Sequence, residues 1–157
     1  MHKITDNRGF TLIELLVVIG IIAILAAIVL VAVNPGRQFA SARDTQRQSD
    51  LYSMTNAIYQ FAAEHNGTLP DTDGDDATSN FPTTPTCVGV GAGCFDLGRA
   101  TNAAATERVV PTYIAAIPHD PSHGDDADTG YTIHVDANGR IIASATGELK
   151  PTITVTR

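Results

Sequence analysis

The sequence predicts an α+β chain: a long N-terminal helix, membrane-spanning in its first half and amphipathic in its second, packed on a small antiparallel β-sheet head. Three observations predict it. An uncharged apolar run extends from Leu15 to Val33, and with Phe10 to Ile13 it is long enough to cross a hydrocarbon core of about 30 Å. Behind it, Leu51, Met54, Ile58 and Phe61 recur three and four apart, one apolar stripe on a helix. Near the C-terminus, Tyr131 to Val135 and Arg140 to Ala145 alternate at period two around Asn138-Gly139, a hairpin signal.

The first element contains a carboxylate, Glu14, just inside one end of the apolar run. An acid at mid-membrane costs about 2.5–3.5 kcal/mol, less near the interface, so Glu14 calls for a partner. A secretory signal peptide has a shorter apolar stretch and a small-residue cleavage site after it, and Val31-Ala32-Val33-Asn34 offers none. A plain anchor leaves Glu14 as an uncompensated cost. Lys3 and Arg8 precede the span and Arg37 follows closely, so charge alone does little to orient it.

The stretch Gly9-Phe10-Thr11-Leu12-Ile13-Glu14 and the apolar helix behind it resemble the type IV pilin family, including the pseudopilins of type II secretion and competence systems. The resemblance implies a leader over residues 1–9, cleaved between Gly9 and Phe10 by a prepilin peptidase on the cytoplasmic side. It also implies N-methylation of Phe10. Glu14 falls on the family's conserved glutamate, implying that it meets the amino terminus of a neighbouring subunit in assembly. The implied partners are copies of this chain and other pilins in a filament, the membrane platform protein and assembly ATPase of the machine, and the lipid bilayer. The implied location is the inner or cytoplasmic membrane as a single-pass protein with its C-terminal part outside, and then a filament.

The remaining organisation follows in order. Residues 10–33 are the transmembrane and assembly helix. Residues 34–66 are its amphipathic continuation, with Asn34-Pro35-Gly36 either a stop and restart or a kink. Before Leu51 this helix reads as polar: Arg43, Asp44, Gln46, Arg47, Gln48 and Asp50. Asn66-Gly67 is a left-handed helix stop. Residues 67–157 form the globular part, opening on a Pro-, Asp-, Thr- and Gly-rich surface loop to about Thr86. Ala100 to Val110 reads as a short helix, and Thr152 to Thr156 as a further strand. Asn66-Gly67-Thr68-Leu69-Pro70 and Pro111-Thr112-Tyr113-Ile114-Ala115-Ala116-Ile117-Pro118-His119-Asp120-Pro121 are similar to stretches of pilin-like proteins, especially relatives of the major pseudopilin. The two prolines suggest an irregular apolar segment pinned on the core.

The chain of 157 residues carries −7 formally, and removing the leader with Lys3, Arg8 and Asp6 takes it to −8. That argues against direct nucleic-acid binding, which needs clustered Lys and Arg. Cys87 and Cys94 lie in the exported part, where an oxidising compartment favours a disulfide tethering the Gly-rich turn between them as a hairpin. Asp71, Asp73 and Asp75 alternate in a loop that suits Ca²⁺. They depart from the EF-hand pattern: Asp76 stands where Gly is needed and Pro82 where the bidentate Glu belongs. The Asp125-Asp126-Ala127-Asp128 cluster is no better spaced, and a solvated acidic turn explains both. His119 and His123 with Asp120 and Asp125 could form a transition-metal site, though Pro121 rules out a helical pair. No activated nucleophile, phosphate loop or acid pair points to an enzyme. The expected function is a prepilin that assembles into a type IV pilus or a secretion or competence pseudopilus. The alternative is a membrane-anchored extracytoplasmic binding module, Ca²⁺-dependent or not, using a pilin-type export signal.

Overall fold

The computed structural model describes residues 9–73, 79–102 and 106–157. The leader up to Arg8, and with it Lys3 and Asp6, lies outside the described residues, as do Asp75 and Asp76. The chain divides into two compact units, residues 1–38 and residues 39–157.

Helix α1, Leu12–Val33, fills the described part of the first unit with most of its length. None of its 22 residues is buried, and at 1.5 Å per residue it is about 33 Å long. Apolar on every side, such a helix needs lipid or a bundle of its own kind around it. It ends at Asn34, which adopts a left-handed φ of 45°. The same Asn34 starts helix α2, Pro35–Glu64: its Oδ1 accepts from the Arg37 N–H at 3.4 Å, and Pro35 takes the first helical position. The interruption is therefore a stop and a restart through one residue.

Within the second unit, α2 closes on Asn66 (φ 56°) and Gly67 (φ 87°), with the Gly67 N–H donating to the Ala62 carbonyl at 2.7 Å. A four-stranded antiparallel sheet follows in simple order: β1 Thr86–Cys87, β2 Tyr131–Val135, β3 Ile141–Ala145 and β4 Ile153–Thr156. Its pairing aligns the inward residues: Tyr131 opposes Ala145, Ile133 opposes Ala143, and Ala143 opposes Val155 on the far side. In the β2–β3 hairpin, the Asp136 carboxylate accepts the N–H groups of Asn138 and Arg140 and the Arg140 guanidinium, and Gly139 takes the positive φ. Leu51, Met54, Ile58 and Phe61 of α2 are fully buried in one core with Tyr131, Ile133, Ala143, Ile153 and Val155. The Tyr113, Ile114 and Ile117 segment packs on that core half-buried, and the Tyr113 hydroxyl donates to Glu64 at 2.7 Å.

Two sequence expectations change. Among the described residues, Ala100 to Val110 do not form one helix: Thr101 bridges to Asp71 and Arg108, residues 103–105 lie outside the described set, and α3 covers only Val109–Thr112. The cysteines are joined, yet their loop is not a hairpin, since Val88 and Phe95 pair in parallel. The loop folds against residues 125–129 instead, with Val90 and Gly91 donating to the carbonyls of Asp126 and Ala127 at 2.9 Å each. Gly91 is needed for that approach, because a Cβ there would lie 2.6 Å from the Ala127 oxygen. The polar first half of α2 is enclosed along one side: Ala40, Asp44, Arg47 and Asp50 are buried, while Thr45, Gln46 and Ser49 are exposed.

Candidate functional site

The processing and assembly residues sit at the start of α1. Phe10 is 87% exposed, and a Cβ added at Gly9 would meet nothing within 4 Å among the described residues. Nothing among the described residues requires glycine at this position. Thr11 is the N-cap of α1 and Glu14 its third helical residue, which together close a capping box. The Thr11 hydroxyl accepts the Glu14 N–H at 3.2 Å. In return Glu14 Oε2 accepts the Thr11 N–H at 3.0 Å and the Thr11 hydroxyl at 2.8 Å. Both bonds go to one oxygen, and Glu14 Oε1 accepts none among the described residues. The acid expected to be costly therefore has a partner in its own chain, while half of its carboxylate remains available.

A second polar site went unseen in the sequence. Arg47, 1% exposed, is the hub. Its Nε and Nη2 grip both oxygens of Asp120 at 2.6 and 3.1 Å, Nη1 donates to Asp44 at 2.8 Å, and Nη2 also reaches Ser122 and Glu148. Arg43 grips Glu148 from the other side, its Nε at 2.6 Å. The Asp44 carboxylate accepts three successive backbone N–H groups, from Glu148, Leu149 and Lys150. One turn of α2 thereby holds both the 120–123 loop and the β3–β4 loop. Burial pushes Asp44 and Asp120 up, but the N–H groups and Arg47 outweigh it, so both carboxyls stay below their ordinary range. The Arg43 hydrogen bonds bring Glu148 down to about 2. Hydrogen bonding to Asp120 raises Arg47 further still. Next to it, Asp50 accepts from the buried Tyr131 hydroxyl at 2.8 Å and from Gln46 at 2.7 Å. The signal was present: residues 40, 44, 47, 51, 54, 58 and 61 form one continuous stripe, whose upper part uses charge where the lower part uses hydrocarbon.

The remaining candidates are held in turns. Asp71 is buried, its Oδ1 accepts the Asp73 N–H at 2.7 Å, and its backbone pairs with Thr101; Asp73 is exposed. Asp125 accepts the N–H groups of Ala127 and Asp128, and Asp128 that of Gly130. His119 faces Asp126 at 3.3 Å, whereas His123 faces Asp120 at 3.9 Å. Asp128 lies beside Cys87 and Cys94, but sulfurs joined in a disulfide are not thiolate ligands.

Comparison with known proteins adds one finding at the N-terminus. No curated protein and no solved structure matches the chain. Residues 4–30 match the family described as the prokaryotic N-terminal methylation motif, a stretch containing Gly9, Phe10, the Thr11–Glu14 box and most of α1. With the apolar helix behind it, this leader supports a type IV pilin-like prepilin and implies processing by a prepilin peptidase.

Proposed function

We propose that the chain is a structural subunit, not an enzyme, that assembles after leader cleavage into a type IV pilus or a pilus-like secretion or competence pseudopilus. Cleavage between Gly9 and Phe10 frees an amine four residues from Glu14, and the same peptidase methylates it. Helix α1 holds the subunit in the bilayer until the platform protein and assembly ATPase move it into the filament, where α1 buries its apolar surface against copies of itself.

The observation that carries this reading is the half-used carboxylate. Glu14 Oε2 is held by Thr11, which fixes the side chain, and Oε1 is left for a cation. The Phe10 amine of an adjacent subunit is that cation. Opposite charges at 4 Å gain about 4 kcal/mol at an effective dielectric near 20, before desolvation. The pairing offsets burial of the acid and sets the axial step between subunits.

The test is a pair of substitutions read separately for cleavage and assembly. Glu14→Gln leaves cleavage intact and abolishes filaments, because the amide keeps a hydrogen bond with Thr11 but offers no charge to the amine. Gly9→Glu blocks cleavage and retains the slower electrophoretic mobility of the precursor. Normal filament yield from Glu14→Gln sinks the proposed role of the carboxylate.

A further inference from the structure

The Asn66-Gly67 turn does more than stop α2. Asn66-Gly67-Thr68 is the one Asn-X-Ser/Thr sequence with X other than Pro in the whole chain, and such a sequence in an exported protein is an acceptor for asparagine-linked sugar. Asn66 and Thr68 are both exposed. The left-handed φ of 56° at Asn66 turns the backbone out of the helix, so the carboxamide is on a surface turn and not among helical neighbours. Two residues earlier, Glu64 is exposed and held by the Tyr113 hydroxyl, adding an anionic feature to the strip an enzyme would read. Beside the turn runs an open groove of about 350 Å³ lined by Tyr59, Ala63, Gly67 and Leu69, with Tyr59 58% exposed. An exposed aromatic face next to an acceptor is a platform on which the apolar face of a sugar ring stacks.

We infer that Asn66 carries an asparagine-linked glycan whose first sugars lie along the Tyr59 groove. The donor is an oligosaccharide on a lipid diphosphate, and the catalyst is a membrane transferase with its site on the exported side. The Asn66 carboxamide nitrogen attacks the anomeric carbon. A C–N bond forms as the C–O bond to the diphosphate breaks, the lipid diphosphate departs with that electron pair, and the nitrogen gives its proton to a base on the transferase. The inference rests on the proposed export of residues 39–157. The chain also contains its own control: Asn138-Gly139 is an equally tight turn, but Arg140 follows it, so it is no acceptor.

The test is peptide mass mapping of the chain purified from its own cells, reading the N-terminus and both Asn-Gly peptides together. The expected result is a mass increment of whole sugar residues on the Asn66 peptide, none on the Asn138 peptide, and complete loss of the increment in both Asn66→Gln and Thr68→Val. The second variant leaves the turn residue Asn66 in place, so loss there reports recognition and not misfolding. A chain starting at Phe10 with Asn66 bare, or carrying only the small increment of deamidation, overturns the glycan and spares the export reading. A chain starting at Met1 with the glycan present overturns the processing and keeps the glycan, and a Met1 chain with Asn66 bare overturns both.

Discussion

Two carboxylates, Glu14 in the first turn of α1 and Asp44 about a third of the way along α2, satisfy their valences in opposite ways. Asp44 is almost wholly enclosed, and its two oxygens receive three backbone N–H groups and one guanidinium. Glu14 receives two bonds from a single residue on a single oxygen, in a helix without one buried side chain. The first arrangement has nothing left to offer a partner, and with Arg47 it ties α2, the 120–123 loop and the β3–β4 loop together. The second leaves one oxygen uncommitted in a segment whose surroundings must come from outside the chain. The difference separates a carboxylate used for folding from one that, on the proposed function, is kept for association.

Breaking the enclosed cluster gives the largest expected effect. Arg47→Ala leaves Asp44, Asp120 and Glu148 without their shared cation, and loss of one partner of a buried ion pair costs about 3–5 kcal/mol. Chemical unfolding of the chain in detergent measures it, and Arg47→Met is expected to do less harm because it fills the space. A loss under about 1 kcal/mol for Arg47→Ala, the range of surface ion pairs, would show that the cluster is solvated. Opening the Cys87–Cys94 bridge by paired Cys→Ser substitution costs about 2.5 kcal/mol in the chain-entropy view for so short a loop, read in the same unfolding experiment. Thr11→Ala removes only the cap, about 1 kcal/mol of helix stability, and is expected to leave the C-terminal unit unchanged. Circular dichroism of α1 in micelles against tryptic resistance of the C-terminal unit separates the two.

Acid sharpens the same contrast. Asp44, Asp120 and Glu148 titrate lower in the folded chain than in the unfolded one, so their contribution is fully present above the unfolded values near 4. It is lost as pH falls through the folded values, about 2 for Glu148. Stability is therefore expected to decline between about pH 4 and pH 2, with a weaker decline in Glu148→Gln. A pH-independent midpoint across that window would contradict the assigned pairing.

Much of this was legible in the sequence for identifiable reasons. Periodicity placed the stripe from Leu51 to Phe61, and Asn138-Gly139 placed the hairpin with β2 at Tyr131–Val135, because local pattern and tertiary burial agree there. Arg47 was hidden by the opposite situation. A charged residue reads as solvent-facing until its partners are known, and Asp120 and Glu148 lie 73 and 101 residues away. The same blindness affected Asp120, whose place between two prolines looked like a feature of an irregular loop and turns out to hold the helix. The parallel Val88–Phe95 bridge was illegible because a Gly-rich turn closed by cysteines is compatible with several pairings, and the choice is made by the facing 125–129 loop. The Thr11–Glu14 box was readable in principle, as Thr three residues before Glu at the head of an apolar run.

The proposed role as a filament subunit depends on processing between Gly9 and Phe10. Filaments sheared from the source cells, digested and analysed by mass spectrometry for the N-terminal peptide of this chain, test it most directly. The expected peptide begins at Phe10 and is one methyl group heavier than its sequence. A chain found only with Met1 at its N-terminus, in sheared and membrane fractions alike, would contradict it.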